Sequence, residues 1–212
     1  MSIFKRIFGF RAGSPGKPSS NLERELRELE RKAGSAPPGT GWTFLNRAGD
    51  LCLRSGDRSR ALRFFGEAID ALLEDGQPEP ARGLARKIIR VHPEAIRTLC
   101  TLTWLDLGLR QPAAALQSLK GYVKAAKRGK REDLAAEQLM AMAEVADDLE
   151  FLGGVAEALS DMGFSMASDR VRKWVDEGGS PKARTDPKVL ARYCLLAAGG
   201  PKAPKNARGA VA

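Results

Sequence analysis

The sequence is poor in the residues that build most metal and catalytic sites. Among 212 residues there is one histidine, His92, and there are three cysteines, Cys52, Cys100 and Cys194. A single histidine excludes a three-histidine metal site and leaves little general-base chemistry near neutral pH. An odd number of widely spaced cysteines argues against a disulfide framework or a zinc knuckle. We therefore expect no metal, no cofactor and no small-molecule substrate.

Long apolar runs and nucleotide-binding motifs are also missing. No window approaches eighteen uninterrupted apolar residues, which argues against a membrane-spanning helix. The N-terminus, MSIFKRIFGF, is too short and too charged for a secretory signal. No phosphate-binding loop and no G-x-S-x-G motif is present. These absences predict a non-enzymatic protein of the reducing cytoplasm.

The positive charge is concentrated towards the two ends of the chain. The net charge is +9, with eight basic and four acidic residues in 1–41, seventeen and sixteen in 42–150, and ten and six in 151–212. A nucleic-acid-binding domain would more often carry its positive charge on the folded core. Basic ends favour solubility and weak attraction to acidic surfaces, so the charge argues against nucleic acid as the main partner.

Composition divides the chain into four parts. The Gly/Pro/Ser-rich stretches read as linkers, and the C-terminal composition indicates a basic, mostly disordered tail. The predicted parts are an amphipathic segment 1–10, a linker 11–41 with a short charged helix 21–33, a helical domain 42–177, and a tail 178–212 with a short helix 187–198.

Glycine and proline divide residues 42–177 into helices. Apolar residues recur there with a helical period, and no stretch alternates with period two. Breaks are expected at Ser55–Asp57, Gly76–Pro78, His92–Pro93, Gly108–Pro112, Arg128–Lys130, Gly153–Gly154 and Met162–Gly163. The prediction is about eight helices with short connections, which make neighbouring helices antiparallel. The expected fold class is therefore all-α, a stack of antiparallel helical hairpins.

The stretch LNRAGDLCLRSGDRSRALRFFGEAI (45–69) contains a helical-repeat pattern. Gly49 and Ala61 allow two successive helices to approach closely, and Phe65 fills the adjacent space. Together with Leu45, Ala48, Cys52 and Ala68, these residues resemble the tetratricopeptide repeat, a unit of about 34 residues. Leu45 and Cys52 stand where the family has tryptophan and tyrosine, so the match is partial.

Two further units overlap or follow the first. Phe65, Ala68, Ile69, Leu72, Gly76, Ala81, Ala85, Ile88 and Pro93 match a second unit, and a weaker third spans Leu99 to Leu119. The run through ARGLARKIIRVHP resembles bacterial members of the family. What the resemblance implies is a short α-solenoid whose stacked units present a concave groove to a partner.

In the family, the groove is lined by side chains of the first helices. Carried onto this sequence, the partner-binding residues are Asn46, Arg47, Asp50, Arg54, Arg97, Thr101 and Trp104. Asn46 and Arg54 suit an extended peptide backbone or a carboxylate. The full set of lysines and asparagines with which some members hold a C-terminal carboxylate is absent. The alternative is that these are ordinary solvated side chains and that Trp104 packs in the core.

The first ten residues form a candidate docking segment. On a helix, Ile3, Phe4, Ile7 and Phe8 would share one apolar face beside Lys5. Such a face suits a hydrophobic groove in a partner, or an anionic membrane surface that the protein would contact peripherally. Two turns bury little area, so this binding would need a second contact. The alternatives are that the segment packs against its own domain or that it has no role.

A run of positive charge is followed directly by a run of negative charge. Residues 110–131 hold seven bases and no acids, and 132–150 hold seven acids and no bases. The basic stripe comprises Lys120, Lys124, Lys127 and Arg131, and the acidic stripe Asp133, Glu137, Glu144 and Asp148. One interpretation pairs the stripes across two antiparallel helices. The other turns the basic stripe outward to bind phosphate, although only Tyr122 offers a stacking platform beside it.

Together these patterns predict a bacterial-type, cytoplasmic adaptor that binds a partner protein or peptide. Binding would use the groove, the N-terminal segment or both, with the inner membrane surface as a peripheral location. The alternative function is nucleic-acid or anionic-surface binding through the basic helix 112–128 and the basic tails.

Overall fold

The computed structural model describes residues 20–181, and these form an all-α fold. Within this range there are nine helices and no β-strand. In chain order they are α1 (Ser20–Ser35), α2 (Trp42–Arg54), α3 (Arg58–Glu74), α4 (Pro78–Val91), α5 (Ile96–Gly108), α6 (Pro112–Arg128), α7 (Glu132–Val145), α8 (Leu149–Asp161) and α9 (Ser165–Asp176). Among the described residues, the most extensive packing joins α1 to α2, α2 to α3, α5 to α6 and α8 to α9, and smaller contacts link α6, α7, α8 and α9. The predicted all-α stack of helical hairpins is confirmed.

The chain divides into two compact units between Ile88 and Ile89. The first unit contains α1, α2, α3 and most of α4, and the second contains α5 to α9. This boundary lies inside the range 42–177 that the sequence assigns to one domain.

The hairpin of α2 and α3 is set by the turn Ser55–Asp57. The Asp57 carboxylate caps α3, since Oδ1 accepts a hydrogen bond from the backbone N–H of Arg60 at 3.0 Å. Its Oδ2 accepts from the Arg60 Nε at 2.6 Å. Gly56 has φ +81°, a left-handed conformation that side chains disfavour. The turn therefore lies where the sequence predicts it.

Close contact between α2 and α3 depends on a glycine. Gly49 is buried, and a Cβ built on it would lie less than 3.0 Å from three ring atoms of Phe65. Ala61, which precedes Phe65 in α3, and Ala68, which follows it, are both completely buried. The nesting of small and aromatic residues that the repeat pattern predicts is thus present in this hairpin.

The charged helix predicted over 21–33 spans Ser20–Ser35 and packs against α2. Leu26 and Leu29 bury its apolar side. Ion pairs with α2 and α3 flank that contact: Arg60–Glu23 at 2.7 Å, Arg63–Glu30 at 3.0 Å and Arg47–Glu25 at 3.7 Å. Since each pair is partly exposed, the leucines contribute most of the docking energy. The helix belongs to the folded unit rather than to a linker.

In the second unit, α5 is buried on all sides along Leu99–Gly108. Two of its polar side chains, those of Trp104 and Asp106, hydrogen-bond to neighbouring helices. The Trp104 Nε1 donates to Gln138 Oε1 of α7 at 3.3 Å, and the Ser118 hydroxyl of α6 donates to Asp106 Oδ2 at 2.8 Å. These bonds satisfy groups whose burial would otherwise be costly.

One predicted break is wrong. Gly153 and Gly154 lie inside α8, whereas the chain breaks earlier, at Ala146–Asp148. The Asp148 carboxylate caps α8 by accepting from the Phe151 backbone N–H at 2.8 Å. A Cβ on Gly154 would meet the Cδ1 of Leu116 in α6, so this glycine serves close helix contact. The capping residue Asp148 therefore fixes where α8 begins, and Gly154 serves close packing inside the helix.

None of the helices within residues 20–181 is both long enough and apolar enough to cross a bilayer.

Candidate functional site

The first unit carries an open depression of about 450 Å³ along one face of α2. Its lining residues are Asn46, Arg47, Asp50, Leu53 and Arg54. Spacings of three and four place them on the same side of the helix, while Ala48 and Cys52 point into the core. All four α2 residues that the sequence assigns to partner binding therefore meet at one site. Leu53 adds an apolar side chain to the lining.

Lys87 of α4 contacts two of the lining residues, Asn46 and Asp50. Its Nζ donates to Asn46 Oδ1 at 2.9 Å and forms an ion pair with Asp50 Oδ1 at 2.6 Å. The same ammonium lies 4.4 Å from the ring centroid of Phe65. The Phe65 ring in turn fills the space beside Gly49. The Phe65 ring, which is part of the packing of the hairpin, thus helps to hold the Lys87 ammonium against Asn46 and Asp50.

The two arginines of the depression differ in their surroundings. Arg47 lies 3.7 Å from Glu25 of α1, at a contact that is largely exposed. Arg54 is exposed, and within residues 20–181 no carboxylate or carbonyl pairs with its guanidinium. Since Lys87 balances Asp50, the excess charge of the lining is positive. The site offers hydrogen-bond donors and positive charge to a ligand.

The three α5 residues predicted for the groove are placed differently. Trp104 is 1% exposed and Thr101 is 5% exposed, and both lie in the core of the second unit. Arg97 is half-buried. Because α5 is apolar around most of its circumference, it is buried on every side. Thr101 and Trp104 therefore do not lie on an open surface. The alternative interpretation, that Trp104 packs in the core, is confirmed.

The basic stripe, which consists of three lysines of α6 and of Arg131 just before α7, faces outward. Lys120, Lys124, Lys127 and Arg131 are all exposed. The Lys127 Nζ donates to the backbone carbonyl of Asp161 at 3.0 Å, at the C-terminus of α8. In the part of the chain that the structure describes, no ion pair joins this stripe to Asp133, Glu137, Glu144 or Asp148. The expected pairing across two helices is therefore wrong.

Tyr122 offers no stacking platform beside the stripe. It is 1% exposed and faces the core. Any ligand of the stripe would meet charge without an aromatic surface.

The described cysteines are buried thiols of low reactivity. Burial raises the pKa of Cys52 to about 11 and that of Cys100 to about 12. Thiolate is the nucleophilic form, so both side chains are poorly suited to nucleophilic attack at neutral pH. Residues 20–181 also contain no cluster of three or more His, Cys, Asp or Glu side chains placed to hold a metal ion.

Other predicted features lie outside the described residues. These are the docking segment with Ile3, Phe4, Ile7 and Phe8, the helix 187–198, and Cys194.

Sequence reasoning missed Lys87. Arg86 and Lys87 are adjacent and similar, and only the rotation of α4 decides which one reaches α2. A helical wheel offers one signal, because Lys87 lies closer than Arg86 to the buried stripe of Leu84 and Ile88.

No family model matches the chain, and no curated protein and no solved structure shows significant similarity to it. The function must therefore be argued from the site.

Proposed function

We propose that this protein is a non-enzymatic adaptor that holds an extended segment of a partner protein in the depression on α2. We further propose that it is a bacterial-type, cytoplasmic relative of the tetratricopeptide-repeat proteins. The partial repeat pattern in α2 and α3 supports that relation, as does the nesting of Phe65 against Gly49.

The observation that carries the proposal is the convergence of Asn46, Arg47 and Arg54 on one open surface. An extended peptide exposes backbone carbonyls, which an amide and two guanidinium groups can bind. Leu53 adds an apolar contact in the same place. A surface of this kind suits the binding of an extended polypeptide segment of a partner.

Affinity capture followed by mass spectrometry tests the proposal. The full-length chain is compared with Arg47→Ala/Arg54→Ala. The control is Arg27→Ala/Arg170→Ala, which removes two exposed arginines away from the depression. We expect the first variant to lose specific partners and the control to retain them. Equal capture by all three chains would reject the depression as the binding surface.

The second candidate function is binding of an anionic polymer or surface to the basic stripe. The observation in its favour is that Lys120, Lys124 and Arg131 are exposed without an acidic partner in residues 20–181. Binding to phosphates through about three to four cations would weaken steeply as salt rises. Binding in the α2 depression would depend less on salt.

Charge reversal separates the two candidates. In Lys120→Glu/Lys124→Glu/Lys127→Glu the stripe is inverted, and in Arg27→Glu/Arg90→Glu/Arg170→Glu the same change in charge is made elsewhere. Adaptor binding predicts that both triple variants capture the partner. Loss of capture in the stripe variant alone, together with release between about 50 and 200 mM salt, would favour the anionic ligand.

The N-terminal segment is proposed as an additional contact with a partner or with an anionic membrane. Because α1 packs on α2, deleting the chain up to Gly41 would also remove part of the folded unit. The sharper variant is Phe4→Ser/Phe8→Ser in the full chain. We expect it to reduce sedimentation with phosphatidylglycerol vesicles. Unchanged sedimentation would reject the membrane contact.

A further inference from the structure

Lys87 reaches two polar side chains of α2 at the same time. Its ammonium is held by the Asn46 oxygen at 2.9 Å, the Asp50 carboxylate at 2.6 Å and the face of Phe65 at 4.4 Å. These three contacts come from two different helices, so the position of the cation is strongly determined. The ring of Phe65 is itself seated against Gly49.

The first consequence concerns the Asn46 amide. A side-chain amide has an acceptor on one side and two N–H donors on the other. Because Lys87 binds the oxygen, the NH₂ group is directed away from Lys87. The N–H groups of Asn46 are therefore the part of the amide that can donate to a ligand in the depression.

The second consequence concerns charge. Alone, the carboxylate of Asp50 would repel an anionic ligand in the depression. The ion pair with Lys87 balances it, and Arg47 and Arg54 then determine the sign of the surface. Arg54 has no described partner of its own.

We infer that Lys87 is a positioning residue that makes the α2 depression selective for an extended segment carrying Asp and Glu side chains. This inference rests on the proposed adaptor function. Backbone carbonyls of the segment accept from the Asn46 amide, and its side-chain carboxylates bind Arg54 and Arg47. Lys87 does not contact the segment and acts through Asn46 and Asp50.

The test uses the ¹⁵N-labelled full-length chain and a tetraglutamate peptide with an amidated C-terminus. Titration should shift the side-chain amide signals of Asn46 and the Nε–H signal of Arg54. Tetralysine amide should shift neither. If only the free-acid form of tetraglutamate binds, the ligand is a terminal carboxylate and the inference is overturned.

Variants at position 87 separate positioning from folding. Lys87→Met keeps the aliphatic stem but removes the charge, and we expect binding to weaken by about fivefold or more. Lys87→Arg should restore most of the affinity, and Lys173→Met, a control on α9, should bind like the wild type. The double variant Asp50→Asn/Lys87→Met removes the repelling carboxylate as well, so it should bind more tightly than Lys87→Met alone.

Three results would overturn the inference. They are wild-type affinity in Lys87→Met, no recovery in the double variant, and peptide-induced shifts on α6 in place of α2. Failure of the inference is distinguishable from failure of the adaptor function. If the peptide does not bind but partner capture still requires Arg47 and Arg54, only the acidic ligand class is rejected. If the peptide binds but capture is independent of both arginines, only the adaptor function is rejected.

Discussion

The ring of Phe65 occupies the space that a Cβ at position 49 would need. This contact joins α2 to α3 and also supports the Lys87 ammonium, which lies over the same ring. A packing detail of the hairpin therefore determines where the polar groups of the candidate site lie. Because Phe65 is completely buried, we expect a change at this ring to alter both the stability of the hairpin and the position of the Lys87 ammonium.

Gly49→Ala should destabilise the first unit. The added methyl group must displace the buried Phe65 ring, which we expect to cost about 1–3 kcal/mol in the free energy of unfolding. Gly83→Ala is the matched control in α4, because Gly83 is exposed and a Cβ there meets nothing within 4 Å. It should stabilise by about 0.5–1 kcal/mol. Urea unfolding followed by circular dichroism measures both, and equal effects would contradict the contact.

Gly153 and Gly154 provide an adjacent pair within α8. Nothing lies within 4 Å of a Cβ on Gly153, whereas a Cβ on Gly154 would meet the Leu116 side chain. Gly153→Ala should stabilise by about 1 kcal/mol through helix propensity. Gly154→Ala should be less favourable than this by at least about 1 kcal/mol, since Leu116 must leave its rotamer. If thermal unfolding gave the opposite order, the packing of α6 on α8 would be wrong.

Asp57 should make stability depend on pH. Partial burial acts to raise its pKa, but hydrogen bonds and charge from Arg60 outweigh it and hold the pKa below the ordinary value of 3.8. The carboxylate therefore stabilises the fold above the unfolded-state pKa, and this stability is lost as pH falls through the lower folded-state pKa. Asp57→Ala should cost about 1 kcal/mol at neutral pH by removing the cap.

Asp57→Asn is the control for charge. Asparagine still caps a helix but does not titrate, so its free energy of unfolding should change less between pH 7 and pH 3 than that of the wild type. Urea titrations at the two pH values measure this difference. An identical pH dependence in both chains would show that Asp57 is not the responsible group.

Trp104 should behave as a core residue. It is buried and bonded to Gln138, so Trp104→Ala should cost about 3–5 kcal/mol in the free energy of unfolding. Arg54→Ala removes an exposed side chain and should change stability by less than about 0.5 kcal/mol. Urea unfolding compares the two. A Trp104→Ala chain that unfolds like the wild type would place the indole outside the core.

Much of the candidate site follows from helical spacing alone. Asn46, Asp50 and Arg54 are four residues apart, so they share a face wherever α2 is placed. Lys87 could not be derived in the same way, because its contact with α2 spans 41 positions along the chain from Asn46. The same limit explains why Trp104 could be interpreted both as a groove residue and as a core residue: periodicity cannot show what surrounds a helix that is apolar on nearly every side.

The sequence by itself determined the helical class and most helix ends, because period, glycine, proline and capping aspartate act within a few residues. It also determined the nesting of Gly49 and Phe65, which lie in neighbouring helices joined by a short turn. Only the tertiary structure decided that α1 packs on α2, that Gly154 lies inside a helix, that within residues 20–181 the basic stripe forms no ion pair with the acidic stripe, and that Lys87 reaches Asn46 and Asp50. These features depend on the rotation of each helix about its axis, which is settled by distant side chains that pack together.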